Sequence, residues 1–168
     1  MIVGSASVGP RADPTSGDPV TTTPDPAFAG RTYPAGPVHT VSAAKIVEFA
    51  RATGAPSPVH TDPEAARAAG HADVVAPPTF LVSVAQATEA QYIEDPAAGI
   101  DFTRVVHGEE SFTLHRPVVA GDRLVPTLTV ESVRAAGGHA MITTRVDLAE
   151  EDGAEVAAVR SMLVVRGD

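Results

Sequence analysis

Two side chains able to move a proton stand close together in Val59-His60-Thr61-Asp62-Pro63-Glu64, an imidazole and a carboxylate two residues apart. Histidine is the commonest general base near neutral pH, and a carboxylate can share the work. Each residue also has a plainer role. His60 can be a loop histidine held by a carbonyl. Asp62, just before Pro63, is a good helix cap, and capping is the cheaper explanation for it. His107 and His115 fall in strand context, His115 on the polar side, and are expected to be structural or interfacial. No His-x-x-His spacing or carboxylate cluster suggests a metal site, and no cofactor is expected. The chain has no Cys, which removes disulfides and thiolate chemistry and fits a reducing compartment.

The elements that must carry these residues are legible in outline. The 168 residues suit one domain, and 43% hydrophobic residues are enough for a packed interior. Aromatics make up only 4%, with no Trp, so Val, Ala, Leu and Ile must build the core. A formal net charge of -9 argues against nucleic acid, which needs clustered Lys and Arg. The N-terminus has no basic region followed by an apolar run, and no stretch approaches a membrane span. A cytoplasmic protein is expected, with no membrane partner.

Residues 1–27, with Pro10, Pro14, Pro19, Pro24 and Pro26 among Gly, Ser, Thr and Asp, read as a disordered tail. A misassigned start codon would give the same composition. The folded domain is expected over 28–168. Arg31 to Val41 looks like an irregular first strand, and Ser42 opens a helix with Ile46, Phe49 and Ala50 on one face that stops before Gly54. A second short helix ends at Gly70, its start signalled equally by Thr61 with Glu64 and by Asp62 before Pro63. A third helix, Thr79 to about Tyr92, is apolar on most sides, with a narrow polar strip of Ser83 and Gln86. Such a helix is meant to be enclosed.

Four alternating runs follow, Ser111–His115, Thr127–Val133, His139–Leu148 and Val156–Val165, with Gly137-Gly138 and Asp152-Gly153 as hairpin turns. A curled antiparallel sheet wrapped around one apolar helix satisfies all these burial patterns. That is an α+β architecture, the hot-dog fold.

Several segments then carry a resemblance. Phe49-Ala50-Arg51-Ala52-Thr53-Gly54, Pro58-Val59-His60-Thr61-Asp62 and the run from Gly70 through Ala76-Pro77-Pro78-Thr79-Phe80 look like the N-terminal MaoC-type dehydratase domain. Val105-Val106-His107-Gly108-Glu109-Glu110 and His115-Arg116-Pro117-Val118 resemble its second half. The likeness runs from about Gly30 to Arg166 and points to the non-catalytic subunits of actinobacterial (3R)-hydroxyacyl-ACP dehydratases, which pair with a catalytic hot-dog subunit.

The resemblance implies an acyl-ACP or acyl-CoA thioester as ligand and a homodimer or a heterodimer with such a subunit. The family's Asp-x-Asn-Pro-x-His motif manages the C2 proton and the departing C3 hydroxyl. Its His falls on His60, but its Asn falls on Ser57 and its Asp on Ala55. A methyl group cannot exchange a proton, so half of the acid/base pair is missing. The family also places a His-Gly pair where Pro77-Pro78 stands, and proline has no N–H to polarise a carbonyl. The Thr79 N–H and the helix dipole remain.

On this reading His60 is a surviving base, a donor to the thioester or a structural residue, and Asp62 could replace the missing carboxylate. Thr79, Ser83 and Gln86 are expected to contact substrate, although Ser83 and Gln86 could instead satisfy each other. Arg104, Arg116 and Arg123 could meet carrier phosphates or form surface ion pairs. Three functions stand open: an acyl-binding subunit of a dehydratase, a stand-alone hydratase or thioesterase using His60, and a non-enzymatic acyl-binding module.

Overall fold

The structure is a computed structural model that describes residues 23–167. Of the expected tail, residues 1–22 lie outside the described residues. The chain is already engaged at Asp25, whose N–H donates to the Ala98 carbonyl, and Phe28 is buried just beyond it.

From Gly30 to Val41 the backbone runs beside a later strand with interruptions. Gly30, Tyr33 and Gly36 each donate an N–H to that neighbour, and only His39–Thr40 forms a regular strand, β1. Pro34 and Pro37, which lack donors, break the ladder, as the sequence suggests. Helix α1 (Ala43–Thr53) turns Ile46 and Ala50 inward. Ser42 occupies the cap position, but its hydroxyl makes no capping bond. The helix stops at Gly54, whose left-handed φ of 67° lets its N–H return to Ala50 and Arg51.

Helix α2 (Pro63–Ala68) resolves the two start signals. Asp62 is the cap, its carboxylate accepting from Glu64 N–H at 2.9 Å, with Pro63 in the first turn. The third helix begins later than the apolar run suggests. Pro78–Leu81 forms a 3-10 turn, and α3 spans Val82–Ile93.

Strands β2 (Val105–Leu114), β3 (Arg123–Ala136), β4 (His139–Ala149) and β5 (Glu155–Val165) complete an antiparallel sheet in the order β1-β3-β4-β5-β2. The β3–β4 hairpin turns on Gly137 and Gly138, at φ 58° and 80°, the positive values a two-residue hairpin loop demands. Leu128, Val130, Ile142, Val146 and Leu163 are fully buried in the core that also holds Val84, Ala85 and Tyr92 of α3. Burying each such aliphatic side chain contributes about 1.5–3 kcal/mol. Tyr92 closes one end of this core against Phe28 and Tyr33, with ring centroids 5.6 and 6.3 Å away. Burial pushes its hydroxyl up to about 12, so it stays neutral at physiological pH.

The cap assignment is directly testable. Asp62→Ala should lower unfolding stability by about 1 kcal/mol, whereas Thr61→Ala should stay within about 0.5 kcal/mol of the parent. Urea unfolding of the two variants reads the difference.

Candidate functional site

The His60 loop is a 3-10 turn, Pro58–His60, pinned to the extended segment that leads into α3. Val75 N–H donates to the Val59 carbonyl at 2.9 Å, and the His60 ring returns a bond through Nδ1 to the Val75 carbonyl at 2.7 Å. A carbonyl only accepts, so Nδ1 carries the hydrogen and a neutral ring keeps its free lone pair on Nε2. His60 is thus held by a carbonyl, the plainer of its readings, with a second nitrogen to spare. Asp62 is exposed and occupied by the cap. At the position where the motif has its carboxylate, Ala55 contributes a methyl group.

The residues expected to contact substrate do not converge. Thr79 is exposed on the 3-10 turn. Ser83 and Gln86 are both exposed on α3 but face different hollows, so they do not satisfy each other. Ser83 donates to the Phe80 carbonyl at 2.9 Å and lines a groove of about 440 Å³ between α1 and α3, walled by Phe49, Ala52 and Phe80. Phe49 meets Phe80 edge-on there, with ring centroids 5.6 Å apart. Gln86 lines a second hollow of about 330 Å³ with Glu89, Ala90, Ile93, Phe102 and His107.

Arg116 and Arg123 are engaged with carboxylates. Arg116 bridges Asp122 and Glu150, at 2.6 and 2.7 Å, and Arg123 pairs with Glu151. The acidic hairpin tip at Glu150 and Glu151 is therefore tied down. These pairs hold Arg116 and Arg123 above the usual guanidinium range and Glu151 below the usual carboxylate range.

Glu89 and His107 of the second hollow belong to a polar cluster that the sequence reading did not identify. Across adjacent strands Thr144 faces Ser161, and Ser161 faces Glu110, forming a polar row over β4, β5 and β2. Glu89, only 1% exposed, reaches this row from α3, and its Oε1 accepts from the Thr144 hydroxyl at 2.6 Å. Its Oε2 has no hydrogen-bond partner, nor has Glu110 Oε1. The Nε2 of His107 lies 3.8 Å from each of these two oxygens.

Residues three apart in a strand ordinarily point to opposite faces. The ladder slips between His107 and Glu109, however, and Gly108 is the extra residue that turns His107 to the side of Glu110. An added Cβ at Gly108 would lie 2.7 Å from Met162 Cε. Two signals could have exposed this cluster. Glu89 lies four residues after Ala85 and three before Tyr92, both core residues of the same helix face, and a lone Gly inside a strand pattern marks a bulge.

Burial pushes the Glu110 carboxyl above the ordinary carboxylate range; His107 opposes this and the charge of Glu89 reinforces it. A raised folded-state pKa means that ionisation costs stability, a cost absent below the unfolded value of about 4.3. Glu110→Gln should therefore raise the melting temperature at pH 8 by a few degrees. The gain should shrink as the pH falls towards 4, which a series of melting curves would show.

The chain matches the model of the FAS1-like, dehydratase domain region over residues 27–159. It is 54% identical to a UPF0336 protein of Clavibacter michiganensis over 144 residues, 86% of this chain and 97% of that one. A UPF0336 protein of Streptomyces coelicolor is 44% identical over 142 residues, 84% of this chain and 95% of that one. Among solved structures, a MaoC-like dehydratase superposes with a TM-score of 0.77 at 30% identity over 84% of this chain, which spans 43% of that protein. The HadBC (3R)-hydroxyacyl-ACP dehydratase complex of Mycobacterium tuberculosis superposes at 0.73, with 27% identity, over 82% of this chain and 96% of that one. The curled sheet around α3 is thus the hot-dog fold, and the chain belongs to the family of FAS1-like dehydratase domain regions.

Proposed function

We propose that this chain is the acyl-binding subunit of a (3R)-3-hydroxyacyl-thioester dehydratase or hydratase, completed by a catalytic hot-dog partner. The observation that carries the reading is the loop around His60. Ala55 supplies no carboxylate, and Asp62, the nearest substitute in the motif, is occupied by the start of α2. A lone imidazole would have to take the proton from C2 and carry that same proton to the departing C3 hydroxyl, two positions that the family's motif serves with two groups.

Two further features support a role in binding. The groove between α1 and α3 is walled by Phe49, Ala52, Phe80 and Ala87, with His39, Thr40, Lys45, Glu48 and Ser83 as its polar lining, a mixture that suits an acyl chain ending in a polar group. Strand β2 ends the sheet with an open edge on which Val106 is exposed, a surface suited to a second sheet. The similar HadBC structure is a complex of this architecture. The ligand in this reading is an acyl-ACP or acyl-CoA thioester; Ser83 lies within the groove, and the Thr79 N–H and the Gln86 side chain are the remaining candidate contacts.

The deciding assay compares hydration of a crotonyl thioester by the chain alone and after mixing with a hot-dog subunit carrying an intact Asp-x-Asn-Pro-x-His loop. Activity only in the mixture is expected. Turnover by the lone chain, abolished in His60→Ala, would instead establish an independent enzyme. Thioester binding without turnover in any pairing would leave a non-enzymatic module. In the lone chain, Ala55→Asp with Ser57→Asn should create measurable hydratase activity if the acid/base pair is all that is missing; no gain would implicate Pro77-Pro78 as well.

A further inference from the structure

The hollow beside β2 leaves negative charge unanswered. Glu89 is almost fully buried and its Oε2 has no hydrogen-bond partner; Glu110 Oε1 on β2 has none either. His107 stands near both, but its Nε2 is 3.8 Å from each oxygen, too far for a hydrogen bond. Protonating the ring would not complete the cluster, because the one N–H on Nε2 can serve only one of the two oxygens. A buried carboxylate without a counter-charge is costly, and among the described residues no Lys or Arg lines this hollow. The surface around it is suited to contact. Phe102 is 70% exposed and Val106 44%, beside an edge strand whose outer backbone groups have no sheet partner.

We propose that the subunit docking on the β2 edge inserts an arginine side chain into this hollow, where its guanidinium meets Glu89 and Glu110. The inference rests on the hot-dog partner of the proposed function and adds the chemistry by which this edge selects it. A guanidinium carries five N–H donors in one plane, accepts nothing, and sheds water more readily than an ammonium. Those properties match two separated acceptor oxygens at the end of a sheltered hollow. The aliphatic stem would run along Ala90, Ile93 and Phe102. The acceptors are positioned in advance: Thr144 holds the other oxygen of Glu89, and the Gly108 bulge turns His107 inward. Such preorganisation lowers the cost of association. A second copy of this chain is the poorer occupant. In a symmetric pair the same surface faces itself, and its hollow brings Glu89 and Glu94 with no cation.

Two measurements on the full chain test the assignment. In calorimetric titration with the hot-dog subunit of the mixing assay, Glu89→Gln and Glu110→Gln should each weaken association about tenfold or more, the scale of a hydrogen bond to a charged group. Glu64→Gln, which removes the same charge from the exposed start of α2, should leave it nearly unchanged. Glu110→Gln is expected to stabilise the isolated chain, so its weaker association cannot come from misfolding, and it keeps the test readable if Glu89→Gln disturbs the core. In NMR spectra, N-acetyl-arginine methylamide should shift the β2 amide signals and the His107 ring, whereas its uncharged counterpart N-acetyl-citrulline methylamide should not. Undiminished association of both Glu→Gln variants, or equal shifts from the two amides, would overturn this inference and leave the partner reading standing. Self-association of the lone chain that Glu110→Gln abolishes would also overturn it, by making a second copy the occupant. No association with the subunit at all would overturn the partner reading and this inference with it.

Discussion

A helix can lie in the hollow of a curled sheet only if its inward side is apolar or has its polar atoms matched by the sheet. In α3 both conditions operate. Val84, Ala85 and Tyr92 meet an aliphatic surface from β3, β4 and β5. Thr88 returns its hydroxyl hydrogen to the Val84 carbonyl at 2.8 Å, and Glu89 finds Thr144. The surrounding structure depends on this seat. Phe80, in the turn before α3, receives Phe49 of α1, and Tyr92 at the other end gathers Phe28 and Tyr33 from the N-terminal segment. Displacing α3 would leave α1, the His60 loop and the entering chain without a common wall.

The same seat divides the chemistry of the molecule. With one side of α3 committed to the sheet, Ser83 and Gln86 are left towards solvent, and the helix separates them into two hollows. The loop that carries His60 belongs to neither of these two linings; it is fastened to Val75 in the approach to α3. A helix read only as apolar with one polar strip would place every polar residue at a single surface. The fold distributes them over two.

The polar row beneath α3 costs stability. A buried carboxylate is expensive to ionise, and well-packed apolar residues in its place are often neutral or stabilising. Here Glu89 satisfies one of its oxygens and leaves the other unpartnered, next to a histidine turned inward by a bulge. Packing alone does not call for that combination. Functional sites commonly tolerate such costs for the sake of a preset geometry.

Much of the architecture was written in local pattern. Alternation predicted β3, β4 and β5, because each has one side on the core and the side-chain period of a strand is two. Gly137-Gly138 predicted the hairpin through its need for positive φ, and the missing carboxylate at Ala55 required only the spacing of one loop. Other features needed the folded chain. Asp62 and Thr61 offered equal start signals for α2, and only the backbone path assigned the cap to Asp62. The strand from Arg31 to Val41 became mostly irregular because its pairing depends on β3, far along the sequence.

The polar cluster is the clearest case of what tertiary structure alone decided. Glu89, His107, Glu110, Thr144 and Ser161 come from one helix and three strands, and each looks ordinary in its own segment. Strand register sets Thr144, Ser161 and Glu110 side by side, and a one-residue slip at Gly108 brings His107 to join them. Local propensity cannot encode this arrangement, because a slip of one residue exchanges the two faces of a strand and only the paired partner reveals it.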